Sequence, residues 1–72
     1  MSNSLYKQYR ELCEGISDED LRPVGVPLMI GATIIPRNVV IPEKLSKHVR
    51  DNGECHHDLK KAIIDVTMER TK

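Results

Sequence analysis

Between Val24 and Ile41 the chain is almost wholly apolar, yet Pro27, Gly31 and Pro36 interrupt it. Proline lacks a backbone donor and fixes φ, so a continuous helix through this stretch loses hydrogen bonds at each proline. Ile30, Ile34, Ile35, Val39, Val40 and Ile41 supply the β-branched bias of a strand. The expected outcome is a β-hairpin, with one strand over Met29–Ile35 and a second over Asn38–Ile41. Pro36-Arg37-Asn38 makes its loop, because proline pre-sets φ and asparagine tolerates the left-handed position.

The flanks carry helical spacing. Leu5, Tyr9, Leu12 and Ile16 recur at intervals of four, three and four, which predicts a helix over Ser4–Glu14 with these residues as its buried stripe. Tyr6 and Cys13 lie on the flank of that stripe, and Gly15 is placed to close the helix in the left-handed conformation. Ser17 is positioned to cap a short acidic turn through Asp18, Glu19 and Asp20, which Pro23 should end. Helix returns at Pro42, with Leu45 and Val49 facing inward, until Asp51-Asn52-Gly53 breaks it. A last helix over Cys55–Arg70 buries Cys55, Leu59, Ala62, Ile63 and Val66. The fold class is therefore α+β in one small domain over residues 1–72: an N-terminal helix, a two-stranded hairpin and two C-terminal helices.

Charge and composition narrow the function classes. Eleven basic and eleven acidic residues cancel, and no block of like charge marks a nucleic-acid or membrane footprint. With only Tyr6 and Tyr9 aromatic, stacking platforms for single strands are nearly absent. Two distant cysteines and an N-terminus without a basic-then-apolar leader point to the reducing cytoplasm. The apolar run is too short and too polar at Arg37 and Asn38 to span a membrane.

The one concentration of reactive side chains is Cys55-His56-His57-Asp58, with His48 nearby in sequence. Structural zinc takes paired Cys-x₂₋₄-Cys or His-x₃₋₅-His ligands, and neither pairing occurs here, so no metal or other cofactor is expected. Neighbours on a helix point about 100° apart, so Cys55 and His56 do not form a nucleophile and base. The glycines are too scattered for a phosphate loop. An enzyme is not expected.

Asn38-Val39-Val40-Ile41-Pro42-Glu43-Lys44-Leu45 resembles the VVIP core of swapped-hairpin antitoxins and transition-state regulators, although this chain continues into a helix where that family forms further strands. The order strand, Pro-Glu, helix, glycine, helix is also similar to ribbon-helix-helix repressors. Either resemblance implies a dimeric DNA-binding repressor, with Arg37, Lys44, Lys47 and Arg50 as backbone contacts.

The favoured reading is a small regulator or inhibitor that binds another protein, of the size common among phage and mobile-element proteins. Ile64 and Met68 lie off the core stripe of the last helix, so they are expected to anchor the partner, rimmed by Lys60 and Lys61. A lone hairpin is marginal in water, which adds the expectation of a homodimer.

Overall fold

Leu21, Val24, Gly25 and Leu28 stand at i, i+3, i+4 and i+7, the spacing of one helix face. That face decides the architecture. A computed structural model describes residues 2–71, and α1 (Ser2–Glu14), α2 (Asp18–Met29), α3 (Glu43–Ser46) and α4 (His57–Arg70) are its helices. The α+β expectation is overturned: among the described residues there is no sheet and no hairpin. The single bridge pairs Val49 with Cys55, across the tight turn at Asp51-Asn52-Gly53.

The difference arises at the prolines. Pro23 was expected to stop a short turn, but α2 runs through Pro23 and Pro27 to Met29. Both prolines lie on the face opposite Leu21, Val24, Gly25 and Leu28, all four of which are buried. The carbonyls deprived of a donor are those of Glu19 and Pro23, on that same outer face, where water can take the place of the lost bonds. The start of α2 follows the sequence reading. The Ser17 hydroxyl accepts the Asp20 amide at 3.4 Å, and three acids occupy the first turn, against the positive end of the dipole.

Helix α4 is the centre, with α1 and α2 both packed on it. Its buried residues are Leu59, Ala62, Ile63, Val66 and Thr67: Thr67 joins the predicted stripe, while Cys55 drops out of it, half-buried in the bridge before the helix. It starts two residues later than expected because His56 is the cap: its Nδ1 accepts the Asp58 amide at 3.1 Å. Where α2 packs on α4, a Cβ on Gly25 would lie 2.0 Å from Thr67 Oγ1. That hydroxyl is buried without a hydrogen-bond partner.

Helix α1 is rotated from its expected seat by about 100°. Tyr6, Arg10 and Cys13 face α4, where Tyr6 donates to Asp65 Oδ2 and Arg10 reaches Glu69 Oε1 at 2.7 Å. Cys13 is fully buried, whereas Leu5, Tyr9 and Leu12 are half-buried and only Ile16 of the expected stripe is in the core. Gly15 does not adopt positive φ. Cations close this helix end instead: Arg70 donates to the Ile16 carbonyl at 2.7 Å and the Glu14 carbonyl at 3.1 Å, and Lys44 donates to the Gly15 carbonyl at 3.2 Å. Arg70 also pairs with Asp18 at 3.0 Å, so one guanidinium joins α1, α2 and α4.

The expected strand residues form turns and irregular chain. Ile35 is buried, Ala32, Val39 and Ile41 pack against the core, and the Ile35 amide donates to the Gly53 carbonyl at 2.9 Å. The C-terminal helix expected from Pro42 is a single turn: Leu45 is buried, and Val49 has left the helix for the bridge to Cys55. No hairpin is present among the described residues, so none needs the cover of a second subunit.

Candidate functional site

A core of aliphatic residues consumes most of the large apolar side chains, so those left outside mark surfaces. The exposed large apolar residues among those described are Val26, Met29, Ile30, Ile34, Val40 and Met68. All but Met68 lie between residues 26 and 40, at the end of α2 and in the segment after it. Ile30 is 82% exposed and Val40 84% exposed. The β-branched bias predicts a hairpin over Met29–Ile35 and Asn38–Ile41, but Met29 ends α2 and the residues after it form no strand. Val26 and Met29 are exposed on α2, and beyond it irregular backbone inserts Ile35 into the core and leaves Ile30, Ile34 and Val40 in solvent.

A second surface lies between α1 and the chain at α3. The half-buried stripe Leu5, Tyr9 and Leu12 forms one side of an open groove of about 510 Å³, with Lys44, Lys47 and His48 on the other. Helix α3 is one turn long, while Leu5 to Leu12 spans about 10 Å of helix, so α3 cannot cover the stripe. Leu5 does not pack against the core. Glu11 lies on the rim beside the stripe.

The imidazoles form a third cluster. His56 and His57 stack at 4.4 Å, Tyr9 meets His48 edge-on at 5.5 Å, and His56 lies 6.3 Å from Tyr9. Ligand atoms of His56, His57 and Asp58 lie within 4.8 Å of one another. His56 Nδ1 already accepts the Asp58 amide, and His57 Nε2 is 3.2 Å from Asp58 Oδ1. Capping and pairing thus account for the cluster, and the positive end of the α4 dipole opposes a cation there.

The cysteines are free. Burial pushes the Cys13 thiol up from 9.0 to about 11, partly offset by Arg70, and burial raises Cys55 as well. A nucleophile needs the opposite shift. The unfolded thiol begins to lose its proton near pH 9, whereas the folded Cys13 keeps it until about 11, so unfolding releases a proton in that window. Stability to urea is therefore expected to fall as pH rises from 9 toward 11. The Tyr6 phenol, raised above 10.0 chiefly by its hydrogen bond to Asp65, adds a slope of the same sign. Cys13→Ala should flatten the curve; an unchanged slope would assign it to other groups.

The residues singled out from sequence are scattered. Met68 is 48% exposed, but Ile64 is half-buried and packs against the core. Lys60 is half-buried, and the Lys61 ammonium lies 5.9 Å from the centre of the Tyr6 ring. Of the four cations proposed for DNA, Lys44 and Lys47 share the groove wall; Arg50 lines a separate cleft with Glu54 and His56, and Arg37 is exposed in the irregular segment. Both DNA-binding resemblances require a strand over Val39–Ile41, and residues 39–41 form no strand. The groove was missed because the face of α1 turned to α4 contains Arg10, and its polarity hides it from a search for apolar periodicity.

No helix among the described residues is long and apolar enough to cross a membrane. The chain matches no family model, no curated protein and no solved structure.

Proposed function

We propose that this chain is a small non-enzymatic protein that binds and regulates another protein. The observation that carries the reading is the concentration of exposed aliphatic side chains between residues 26 and 40, led by Ile30 and Val40. Exposed apolar surface of this kind gains free energy when a partner removes it from water. Neutral overall charge favours protein partners over nucleic acid. The committed state of the reactive groups supports a binding role too: Cys13 is buried and held protonated, and His56 serves as a helix cap. Two free cysteines suit the cytoplasm. The partner can include a second copy of the chain, since the exposed segment supplies surface for a homodimer.

Sedimentation equilibrium and affinity capture on immobilised protein test this together. Ile30→Glu/Val40→Glu should leave the helix signal intact and abolish self-association or partner capture. Ile64→Glu/Met68→Glu tests the surface expected from sequence, and should perturb folding through Ile64. If the wild-type chain binds no protein, and is instead retained on duplex DNA with a steep dependence on salt, the protein-binding reading fails.

A further inference from the structure

We infer that the groove between α1 and α3 is a docking site for an acidic amphipathic helix of a partner protein. This goes beyond the segment at residues 26–40, because it assigns a second, separate surface and the chemistry of what it takes.

Three observations converge. The floor, Leu5, Tyr9 and Leu12, follows i, i+4, i+7, so its side chains form a ridge along two turns of α1. A ridge of that spacing packs best into the groove of another helix, which presents its own apolar residues at i, i+3 or i+4, and i+7. Tyr9 and Leu12 pack against the core on their inner side and Leu5 is not among the residues packed there, while α3 ends at Ser46 after a single turn, too short to cover the outer side of the ridge.

Charge then selects among helices. Lys44 and Lys47 stand on the α3 wall beside His48, and Glu11 is the one acidic residue on the lining. The hydrogen bond from Lys44 to the Gly15 carbonyl engages a neutral acceptor, so its positive charge stays available to a carboxylate at the groove mouth. A helix with carboxylates along the flank facing α3 therefore meets complementary charge, while one with lysines there meets repulsion. The apolar floor supplies contact area, and the lysine wall sets the orientation.

The test uses the full chain and a designed 18-residue helical peptide carrying leucines on one face and glutamates along its flank, beside a twin in which lysine replaces every glutamate. Backbone amide NMR should show shifts from the acidic peptide confined to residues 5–12 and 44–48, with affinity falling as salt rises. The lysine twin should bind at least about tenfold more weakly. Leu5→Glu, at a residue outside the core, should abolish the acidic peptide's binding with an unchanged native amide spectrum elsewhere. Lys47→Glu should reverse the preference between the two peptides. Ile30→Glu/Val40→Glu should leave peptide binding unchanged, which separates this site from the exposed segment. Equal binding of both peptides, shifts centred on residues 26–40, or no binding at millimolar peptide would each overturn the assignment.

Discussion

Gly25→Ala is expected to destabilise the protein by about 2–3 kcal/mol, although alanine is the better helix former. In an exposed helix the same change stabilises by about 1 kcal/mol. Here the new methyl would meet Thr67 Oγ1 at 2.0 Å, with Thr67 Cβ at 2.8 Å and Cγ2 at 2.9 Å. These atoms sit on the buried face of α4, so relief requires α2 to move outward and reopen the packing of Leu21, Val24 and Leu28. A domain of this size has total stability of only about 4–10 kcal/mol, so the loss takes a large share of it. Urea unfolding followed by helix ellipticity measures it. Thr67→Ala alone should cost little, since it removes a hydroxyl buried without a partner. Combined with Gly25→Ala it should recover part of the loss, because Oγ1 and Cγ2 are gone while Cβ remains close. A Gly25→Ala protein as stable as wild type would show that α2 and α4 do not meet at this point.

Gly53→Ala is expected to cost about 3 kcal/mol, by a different route. Gly53 has φ of +92°, a conformation that L side chains rarely adopt. Its added Cβ would also lie 2.4 Å from the Ile35 carbonyl oxygen, an atom of the backbone that has no rotamer to escape into. The hydrogen bond from the Ile35 amide to the Gly53 carbonyl links this turn to the long segment after α2, and Ile35 is buried beside it. Gly31→Ala provides the control. Gly31 also has positive φ, at 111°, but nothing lies near its Cβ position, so only the conformational strain of about 1 kcal/mol is expected. Equal losses at the two glycines would mean that the contact with Ile35 contributes nothing. A larger loss at Gly53, accompanied by faster amide exchange at Ile35, supports the link between the two loops.

Two features of the helices were legible in the sequence, the apolar spacing of α4 and the cap of α2. Leu59, Ala62, Ile63 and Val66 place α4, although Cys55 of the expected stripe lies outside it in the bridge to Val49, and Ser17 marks the start of α2 through a local hydrogen bond that needs no distant residue. The break at Asp51-Asn52-Gly53 was equally local, since a glycine at positive φ and the Asn52 side chain accepting the Glu54 amide at 3.1 Å build that turn from its own residues. The floor of the candidate groove, Leu5, Tyr9 and Leu12, was visible as an apolar stripe, but spacing assigned it to the core, and nothing local brings Lys44, Lys47 and His48 opposite it. Periodicity reports that a helix has a face; it cannot report which neighbour claims it. Helix α1 carries two usable faces, and α4 takes the one held by Tyr6 to Asp65 and Arg10 to Glu69.

The sequence by itself determined the cap that starts α2, the turn at Asp51-Asn52-Gly53, and that the core would be aliphatic. These depend on residues within a few positions of one another. Tertiary structure alone decided the fate of residues 21–41. Pro23 and Pro27 each remove a helical hydrogen bond, at a local cost that argues for extended chain. Packing of Leu21, Val24 and Leu28 against α4, with Gly25 allowing close approach, offsets that cost, and the lost bonds fall on the outer face. The β-branched residues beyond Met29 then have no partner strand, and a strand without a partner leaves its backbone groups unpaired. Insertion of Ile35 beside Gly53 holds the segment irregular and leaves Ile30 and Val40 in solvent, a result settled by contacts between residues far apart in the chain.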